Sequence, residues 1–553
     1  MRYCCTFWRR PGFGLFAALW LAPAMLFAGG GPFNTLVVVN TNSADSVELG
    51  EYYAAAHGIP AHHICRLGVA TNITTVTTNE FKSLLFSPVT NHIATNGLGG
   101  RIDFLVLCWD FPTRVSGTGY ANGSLSGAFL YNFKTSPPTG CNLPDNTYNN
   151  YYRAERAYRS ADGWNITNGF IAFHLVASNL PTAKLVTDRG VAAQSSFPPA
   201  AIYLCMLGMQ NRNVREALHA HAQFSFTTLP GLPVACVTNP WYTHLSGKTN
   251  VIGYQDGYSR IDATVRTNNA WLPGAFADHL TSYGGYIANF TNAANQSTVL
   301  DWMGTGATAS YGTVVEPCNY LAKFPDPLMA LYHARGFCLG ESYSMSVAAP
   351  YQGLFAGDPL AAPFAAPPVL DVTSPVPYQI VTGLVPVQVS ATAHSNGVPA
   401  AALDLYLDGR FQTNLATLGP TPSNLLSVAV GSVTTSVAVA TNQSLGDAVA
   451  ALAAAVNADS NQNVSATAYG DRLELIYTNF NHAADYAAVT AAVAQGSASA
   501  LTLGTGLAAT NLVPSIYPAR KRVWLFTQTT NGANAGDTIT NIITLTNGIA
   551  VTN

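Results

Sequence analysis

Short apolar runs rich in β-branched residues alternate with helix-like segments up to Phe364, and this alternation restricts the fold more than any other feature. TLVVVN at Thr35–Asn40 is followed by a stretch with helix-capping residues, and IDFLVLCW at Ile102–Trp109 follows a second helix-like stretch. Such runs are typical of strands buried on both faces, and the helices between them are typical of crossover connections. The pattern predicts an α/β domain over 33–364, built on a parallel sheet.

The composition changes beyond an Ala/Pro-rich linker that begins near Ala361. Val, Thr and Ser then dominate, and alternating runs predict an all-β sandwich of the immunoglobulin type over 365–420 and 514–530. An Ala-rich helical stretch flanked by short strand-like runs interrupts it, which indicates an α+β insert over 421–513. Residues 531–553 form an Asn/Thr-rich tail.

The N-terminus has the pattern of a secretory signal. Arg2, Arg9 and Arg10 precede the apolar run Phe13–Phe27, and small residues follow at Ala28–Gly31. We expect a cleaved signal peptide over 1–28 and export to the periplasm, cell surface or medium, with an uncleaved anchor as the alternative. No later stretch approaches about 18 uninterrupted apolar residues, so no membrane span is expected after cleavage.

Charge and cysteine content exclude several partner classes. The formal net charge is −3, only 10% of residues are charged, and no basic cluster follows the N-terminus. This composition argues against nucleic-acid binding. The nine cysteines include no CxxC pair, so a zinc site is not expected, and no motif indicates a cofactor.

The stretch Trp271–Pro317 has polar residues where two predicted strands end, and a cysteine directly after it is a further candidate for the same site. These residues are Asp278, His279, Ser282, Glu316 and Cys318. The carboxyl edge of a parallel sheet is where sites are built, and His279 beside a carboxylate could act as a general base. Ser282 or Cys318 could then be a nucleophile, with a packed loop thiol as the alternative. Because successive strand residues point to opposite faces, Asp278 and His279 are not expected to pair with each other.

A second set of polar residues follows other predicted strands and could bind a ligand. These candidates are Asn40, Asn42, Asp110, Arg114 and Asp256, with Glu316 as a further member. Asp110 and Arg114 occur in WDFPTR, where they could orient a polar substrate or form a local ion pair that holds the turn. Turn and capping roles are the alternative for the two asparagines.

Four segments in a fixed order resemble a family of exported bacterial proteins of uncharacterised function. They are VVVNTNSADSVELGEYYAAAHGIP, IDFLVLCWDFPTRV, DHLTSYGG and GATASYGTVVEP, and the resemblance spans about Thr35–Phe364. More distantly, the layout is similar to gingipain-type cysteine peptidases of the caspase-like fold. The similar segments are Phe104–Asp110, Leu180–Gln194, Ala307–Val314 and Gly357-Asp358-Pro359. The resemblance implies a caspase-like α/β domain followed by an immunoglobulin-like domain.

The sequence departs from those peptidases at the catalytic positions. The peptidases need His-Gly after one strand and Cys after the next, whereas this chain has no histidine in Gly253–Gly257 and no cysteine in Asp278–Ser282. The peptidase dyad is therefore not carried over. Three functions stay open: binding of a peptide, glycan or small polar ligand at the strand ends, hydrolysis that uses His279 with Asp278, Ser282 or Cys318, and a structural role at the cell surface.

Overall fold

The computed structural model describes Leu19–Ala24, residues 30–367 with gaps at 118–122, 132–147, 156, 161–168, 207–211, 228–233, 240–242, 288–295 and 316–318, and the elements given below between 369 and 550. Ten strands form one open sheet. They are β1 (Thr35–Asn40), β2 (Ile64–Leu67), β3 (Phe104–Cys108), β4 (Ile171–Leu175), β5 (Ala200–Cys205), β6 (Val234–Asn239), β7 (Val251–Asp256), β8 (Trp271–His279), β9 (Ala309–Thr313) and β10 (Gly353–Gly357). The fold is mixed α/β, as the alternating pattern predicts.

The sheet consists of two halves with the same strand order. Its spatial order is β6-β5-β7-β8-β9-β10-β4-β3-β1-β2. β1–β4 are parallel to their neighbours among themselves, as are β5–β9, whereas β9 and β10 run antiparallel. We call β1–β4 with β10 the first half, and β5–β9 the second half. Counted from the outer strand towards the centre of the sheet, the order is β2-β1-β3-β4-β10 in the first half and β6-β5-β7-β8-β9 in the second. Numbered by position in the chain, both halves therefore have the order second, first, third, fourth, fifth.

We call the stretch of the sheet edge at the ends of β1, β3 and β4 the first edge, and the stretch at the ends of β5, β7 and β8 the second edge. The two stretches lie on the same side of the sheet, since Val176 beyond β4 packs in one cluster with Val299, whose N–H donates to the Gly284 carbonyl in the loop beyond β8. The parallel-dominated sheet agrees with the prediction. What the sequence did not predict is β10, a central strand that precedes the turn Gly357-Asp358-Pro359 and runs antiparallel to β9.

Helices cover both faces of the first half, and the sequence of β1 requires this because all six of its residues are buried. Val37 packs in one cluster with Leu49 of helix α1 (Ala44–His57) and with residues of helix α2 (Leu180–Ala193). Leu36 packs on the other face in a cluster with Phe129. Burying one such aliphatic side chain contributes roughly 1.5–3 kcal/mol, so an uncovered face would be costly.

The N-terminal part has further helices and one small sheet. The helices are Thr78–Glu80, Phe81–Phe86 (π), Ser87–Thr95, Leu125–Tyr131, His219–Thr227, Ala263–Thr267, α3 (Val299–Thr305), Met329–Ala334 and Leu339–Ser346, with 3-10 turns at Pro32–Asn34, Ala61–His63, Glu216–Leu218, Leu321–Lys323 and Pro350–Gln352. The small sheet contains Thr75–Thr77, Arg114–Ser116 and Gly123–Ser124. It lies in the loops beyond the first edge and positions Arg114.

The C-terminal part consists of small antiparallel sheets and one helix. Their elements are Val369–Ser374 with Ile380–Thr392 and Asp537–Ala550; Ala402–Leu407 with Arg410–Thr417 and Leu19–Ala24; Val433–Ala438 with Leu425–Val430, Ala487–Ala494 and Asn511–Leu512; Val464–Tyr469 with Arg472–Tyr477, Arg522–Thr529 and Leu501–Thr505; and helix Leu445–Ala458.

Two strands of the C-terminal part differ from their predicted places. Arg522–Thr529, expected in the 514–530 part of the sandwich, pairs with Arg472–Tyr477 of the insert. Asp537–Ala550, part of the 531–553 tail, pairs instead with Ile380–Thr392. The sequence does not indicate which sheet each of these two strands joins, because both segments are apolar and either one could complete the sandwich.

The hairpin Ala402–Thr417 packs against the first half on the side away from the first edge. The Arg101 guanidinium lies 3.2 Å from the Phe411 ring centroid. Its Nη1 lies 3.4 Å from an Asp404 carboxylate oxygen. Arg410 donates from Nη1 to the Asn96 carbonyl at 3.0 Å. These contacts join the α/β part to the β part.

Residues Leu19–Ala24, within the predicted signal peptide, pair with Ala402–Leu407 as a third strand beside this hairpin. The remainder of 1–28 lies outside the described residues. Across the part of the chain that the structure describes, no helix is both long enough and apolar enough to cross a membrane.

Candidate functional site

Asn40 organises the first edge from a fully buried position at the end of β1. Its Oδ1 accepts hydrogen bonds from the backbone N–H groups of Asn42 and Val69, both at 3.1 Å. Its Nδ2 donates to the Asp110 carbonyl at 3.0 Å. Asn40, predicted as a ligand-binding residue, thus uses its amide to join three loops. Asn42 is exposed and donates from Nδ2 to the Val69 carbonyl at 3.0 Å.

Asp110 lies at the crevice between β1 and β3, where the chain leaves β3 through two left-handed residues. Trp109 and Asp110 have φ angles of 52° and 45°. Such conformations are uncommon for residues other than glycine, and they cluster at functional sites. Ser43, the N-cap of α1, donates from Oγ to the Asp110 carboxylate at 2.5 Å. The carboxylate therefore lies near the positive end of α1, where it is stabilised.

Arg114 is half-buried and has no carboxylate partner among the described residues. Its Nε is buried without a hydrogen-bond acceptor there. The expected alternative of a local ion pair with Asp110 does not form in the described structure. By contrast, four other arginines form ion pairs with buried carboxylates; the pairs are Arg153–Asp326, Arg159–Asp103, Arg215–Asp278 and Arg335–Glu155.

Tyr286 reaches the first edge from the second half. The loop after β8 crosses β9 at Gly312, where an added Cβ would lie 2.2 Å from the Gly285 nitrogen. Tyr286 then donates from its hydroxyl to Thr74 Oγ1 at 3.1 Å. Its ring centroid lies 5.3 Å from Cζ of Arg114. Sequence reasoning missed Tyr286, although the glycine pair before it is a signal for close backbone approach.

The second edge is filled by the buried side chain of Arg215, which follows β5. Arg215 donates to the Asp278 carboxylate and, at 2.6 Å, to the Asp256 carbonyl. Gln255 also donates to Asp278, at 3.2 Å. Arg215 and Asp278 are 2% and 1% exposed at their side chains, so the crevice between β5 and β7 holds protein atoms. Burial raises the pKa of Asp278, and Arg215 opposes this shift. No sequence signal marked Arg215.

His279 is buried, and both of its ring nitrogens are engaged. Trp302 donates from Nε1 to Nδ1 at 2.8 Å, and Nε2 lies 3.1 Å from the Ser297 carbonyl. The ring is therefore the Nε2–H tautomer, since Nδ1 accepts and Nε2 donates. Burial lowers its pKa to about 3, an effect that the Ser297 bond partly offsets. A neutral ring without a free lone pair is poorly suited to act as a general base. As expected from strand geometry, Asp278 points elsewhere, to Arg215.

Asp256, predicted to bind a ligand, accepts hydrogen bonds from the Tyr254 hydroxyl at 2.6 Å and the Tyr258 N–H at 3.2 Å. Burial raises its pKa to about 7. Ser282 is half-buried in the loop that leads to Tyr286. The candidates Glu316 and Cys318 lie outside the described residues.

The predicted residues thus form two groups, at two separate stretches of the sheet edge. Asn40, Asn42, Asp110 and Arg114 lie at the first edge, and Asp256, Asp278 and His279 lie at the second. The described residues contain no group of three or more His, Cys, Asp or Glu side chains that could hold a metal ion. Comparison of the chain with protein-family models, curated proteins and solved structures found no match. Function is therefore argued from the two edges.

Proposed function

We propose that this chain is a binding protein that takes a polar ligand or a peptide at the first edge. The observation that carries the proposal is the half-buried Arg114 guanidinium, which no acceptor in the described structure satisfies. It stands beside the crevice between the first and third strands of its half, where ligands bind in open α/β sheets. Asp110 and the exposed Asn42 add polar groups at the same crevice.

The second edge supports binding and hydrolysis less well. Its crevice is occupied by Arg215 and Asp278, which satisfy each other. His279, the predicted base, has both ring nitrogens engaged. We therefore do not favour the hydrolase function, which would need His279 to leave Trp302 and Ser297.

The test is an array of peptides and glycans probed with the purified protein and two matched variants. Tyr286→Leu changes the first edge, and Ser282→Ala changes the same loop nearer the second edge. We expect binding signals that disappear in Tyr286→Leu and persist in Ser282→Ala. Signals that persist in Tyr286→Leu, or an array on which the wild-type protein binds nothing, would contradict the proposal.

We further propose a caspase-like fold for 33–364 and an immunoglobulin-like sandwich after it. The same strand order in each half and the resemblance of the four peptidase-like segments support the first assignment. Antiparallel strands at Val369–Ser374, Ile380–Thr392 and Ala402–Thr417 support the second. The charged and apolar N-terminus supports export, which N-terminal sequencing of secreted protein would test through the absence of residues 1–28.

A further inference from the structure

We infer that the ligand of the first edge carries a single carboxylate, bound by Arg114, together with hydrogen-bond donors that face Asp110. This inference rests on the proposed function and specifies its ligand class. Three properties of the first edge support it. The Arg114 guanidinium faces an anchored aromatic ring, it lacks hydrogen-bond acceptors, and the nearby aspartates disfavour polyanions.

The Arg114 backbone is anchored, and its guanidinium faces an anchored aromatic ring, before any ligand binds. Its backbone N–H donates to the Thr74 carbonyl at 3.1 Å, within the small sheet that flanks the residue. The ring that faces the guanidinium belongs to Tyr286, whose hydroxyl is bonded to the side chain of the same Thr74. One residue thus fixes both partners of the cation–π contact. A planar guanidinium so positioned matches the two oxygens of a carboxylate.

The guanidinium also lacks an acceptor of its own. No ion pair or side-chain hydrogen bond involves it in the described part of the chain, and its buried Nε–H is unsatisfied. A buried donor left unsatisfied is unfavourable by about 1–3 kcal/mol. A ligand that supplies acceptors close to the guanidinium therefore gains more here than at an exposed arginine, whose donors water already satisfies.

The local charges select the kind of anion. Asp110 lies at the N-terminus of α1 through its bond to Ser43, and Asp45 is in the first turn of the same helix. The helix end that commonly receives phosphate is therefore already neutralised by carboxylates. A dianion would be repelled by two aspartates, whereas a monocarboxylate balances Arg114 alone. Asp110 is an acceptor, so hydroxyl or amino groups on the ligand are its natural partners.

Isothermal titration and NMR with four small probes test this inference. The acidic probes, each with one carboxylate, are galacturonic acid and N-acetyltriglycine, and their neutral counterparts are methyl galacturonate and N-acetyltriglycine amide. The pair that binds distinguishes a sugar acid from a peptide carboxylate, and inorganic phosphate tests for a preference for dianions. The variants are Arg114→Gln, Arg114→Lys, and Arg212→Gln as the matched control. Arg212 is also half-buried with an unsatisfied Nε but follows β5, in the second half.

We expect one acidic probe to bind and its neutral counterpart to bind roughly 10- to 100-fold more weakly, since a charge-assisted pair is lost. Arg114→Gln should produce the same loss, Arg114→Lys a smaller one, and Arg212→Gln none. Equal binding of acidic and neutral probes that perturbs first-edge resonances would overturn the carboxylate inference while the proposed binding function stands. Tighter binding of phosphate would also overturn it. Probes that bind only at the second edge, or none that bind, would overturn both.

Discussion

The two edges of the sheet are formed by halves with the same strand order, yet their crevices differ in what occupies them. At the first edge, polar side chains join the loops across the crevice and leave Arg114 without an acceptor. At the second edge, Arg215 is buried in the crevice and paired with Asp278. Strand order therefore indicates where a binding site can form, but a single buried ion pair can fill the crevice at that position. Function must be assigned from the side chains.

The largest expected contrast concerns stability. Arg215→Met leaves the Asp278 carboxylate buried without its cation, which should lower the free energy of unfolding by about 3–5 kcal/mol. Replacing both residues, in Arg215→Met with Asp278→Leu, should restore much of the loss because no unpaired charge remains. Arg114→Gln at the first edge should change stability by less than about 0.5 kcal/mol. Urea unfolding measures all three, and equal losses from Arg114→Gln and Arg215→Met would remove the contrast.

The second contrast is in pH dependence. Burial raises the pKa of Asp256 from 3.8 to about 7. The unfolded carboxyl therefore releases its proton at lower pH than the folded one, and this group's stabilisation is lost as pH rises from about 4 to about 7. Because asparagine cannot ionise, Asp256→Asn should remove this contribution. The free energy of unfolding should then fall less steeply with pH, by up to about 1.4 kcal/mol per pH unit. The difference between variant and wild-type unfolding curves isolates the effect from His279, whose lowered pKa acts oppositely. Arg114→Gln is the control with an unchanged slope.

The third contrast concerns the loop that connects the edges. In Gly285→Ala the new Cβ would lie 2.4 Å from the Gly312 carbonyl oxygen and 2.9 Å from Leu354 Cβ. The loop must shift, which should destabilise the protein by about 1–3 kcal/mol and withdraw Tyr286 from Arg114. Gly304→Ala, in α3, meets no atom within 4 Å and should be neutral or slightly stabilising. Thermal unfolding and array binding test both, and full binding by Gly285→Ala would show that Tyr286 is dispensable.

The smallest contrast compares two helix caps. Ser43 caps α1 at the first edge, and Thr298 caps α3, which follows the second edge. Replacing either with alanine should lower stability by about 1 kcal/mol. Only Ser43→Ala also removes the hydrogen bond to Asp110, so it alone should alter ligand binding. Unfolding and binding measurements on the pair check this, and a binding defect in Thr298→Ala would contradict a site confined to the first edge.

Most strands could be predicted from the sequence because their apolar residues are contiguous and often β-branched. Thr35–Asn40 and Ile102–Trp109 carry that signal strongly, and the structure has strands at both places. Gly353–Gly357 does not carry it, since GLFAG is short, contains two glycines and has no β-branched residue. Missing this strand removed the antiparallel junction between the two halves from the predicted fold. The prediction therefore treated the two groups of polar residues as neighbours, although β9 and β10 lie between them.

The candidate site was predictable only in part. Asp110 and Arg114 could be found because they follow a clear strand within five residues of each other. The roles of Arg215 and Tyr286 could not be predicted, since their partners Asp278 and Arg114 lie 63 and 172 positions away in the chain. His279 had a local signal, but its burial against Trp302 depends on the packing of α3, which adjacent residues do not reveal.

The position of β10 has a consequence for the order of folding during synthesis. The second half is continuous in the chain, from Ala200 to Thr313, whereas the first half waits for Gly353–Gly357 to add its fifth strand. Strands that must find partners far away in sequence form late, because the intervening chain must first be ordered. The open flank of β4 is then an unpaired strand edge for as long as translation or export continues. Such an edge favours aggregation, so truncation before residue 353 should yield aggregated protein rather than an independent first half.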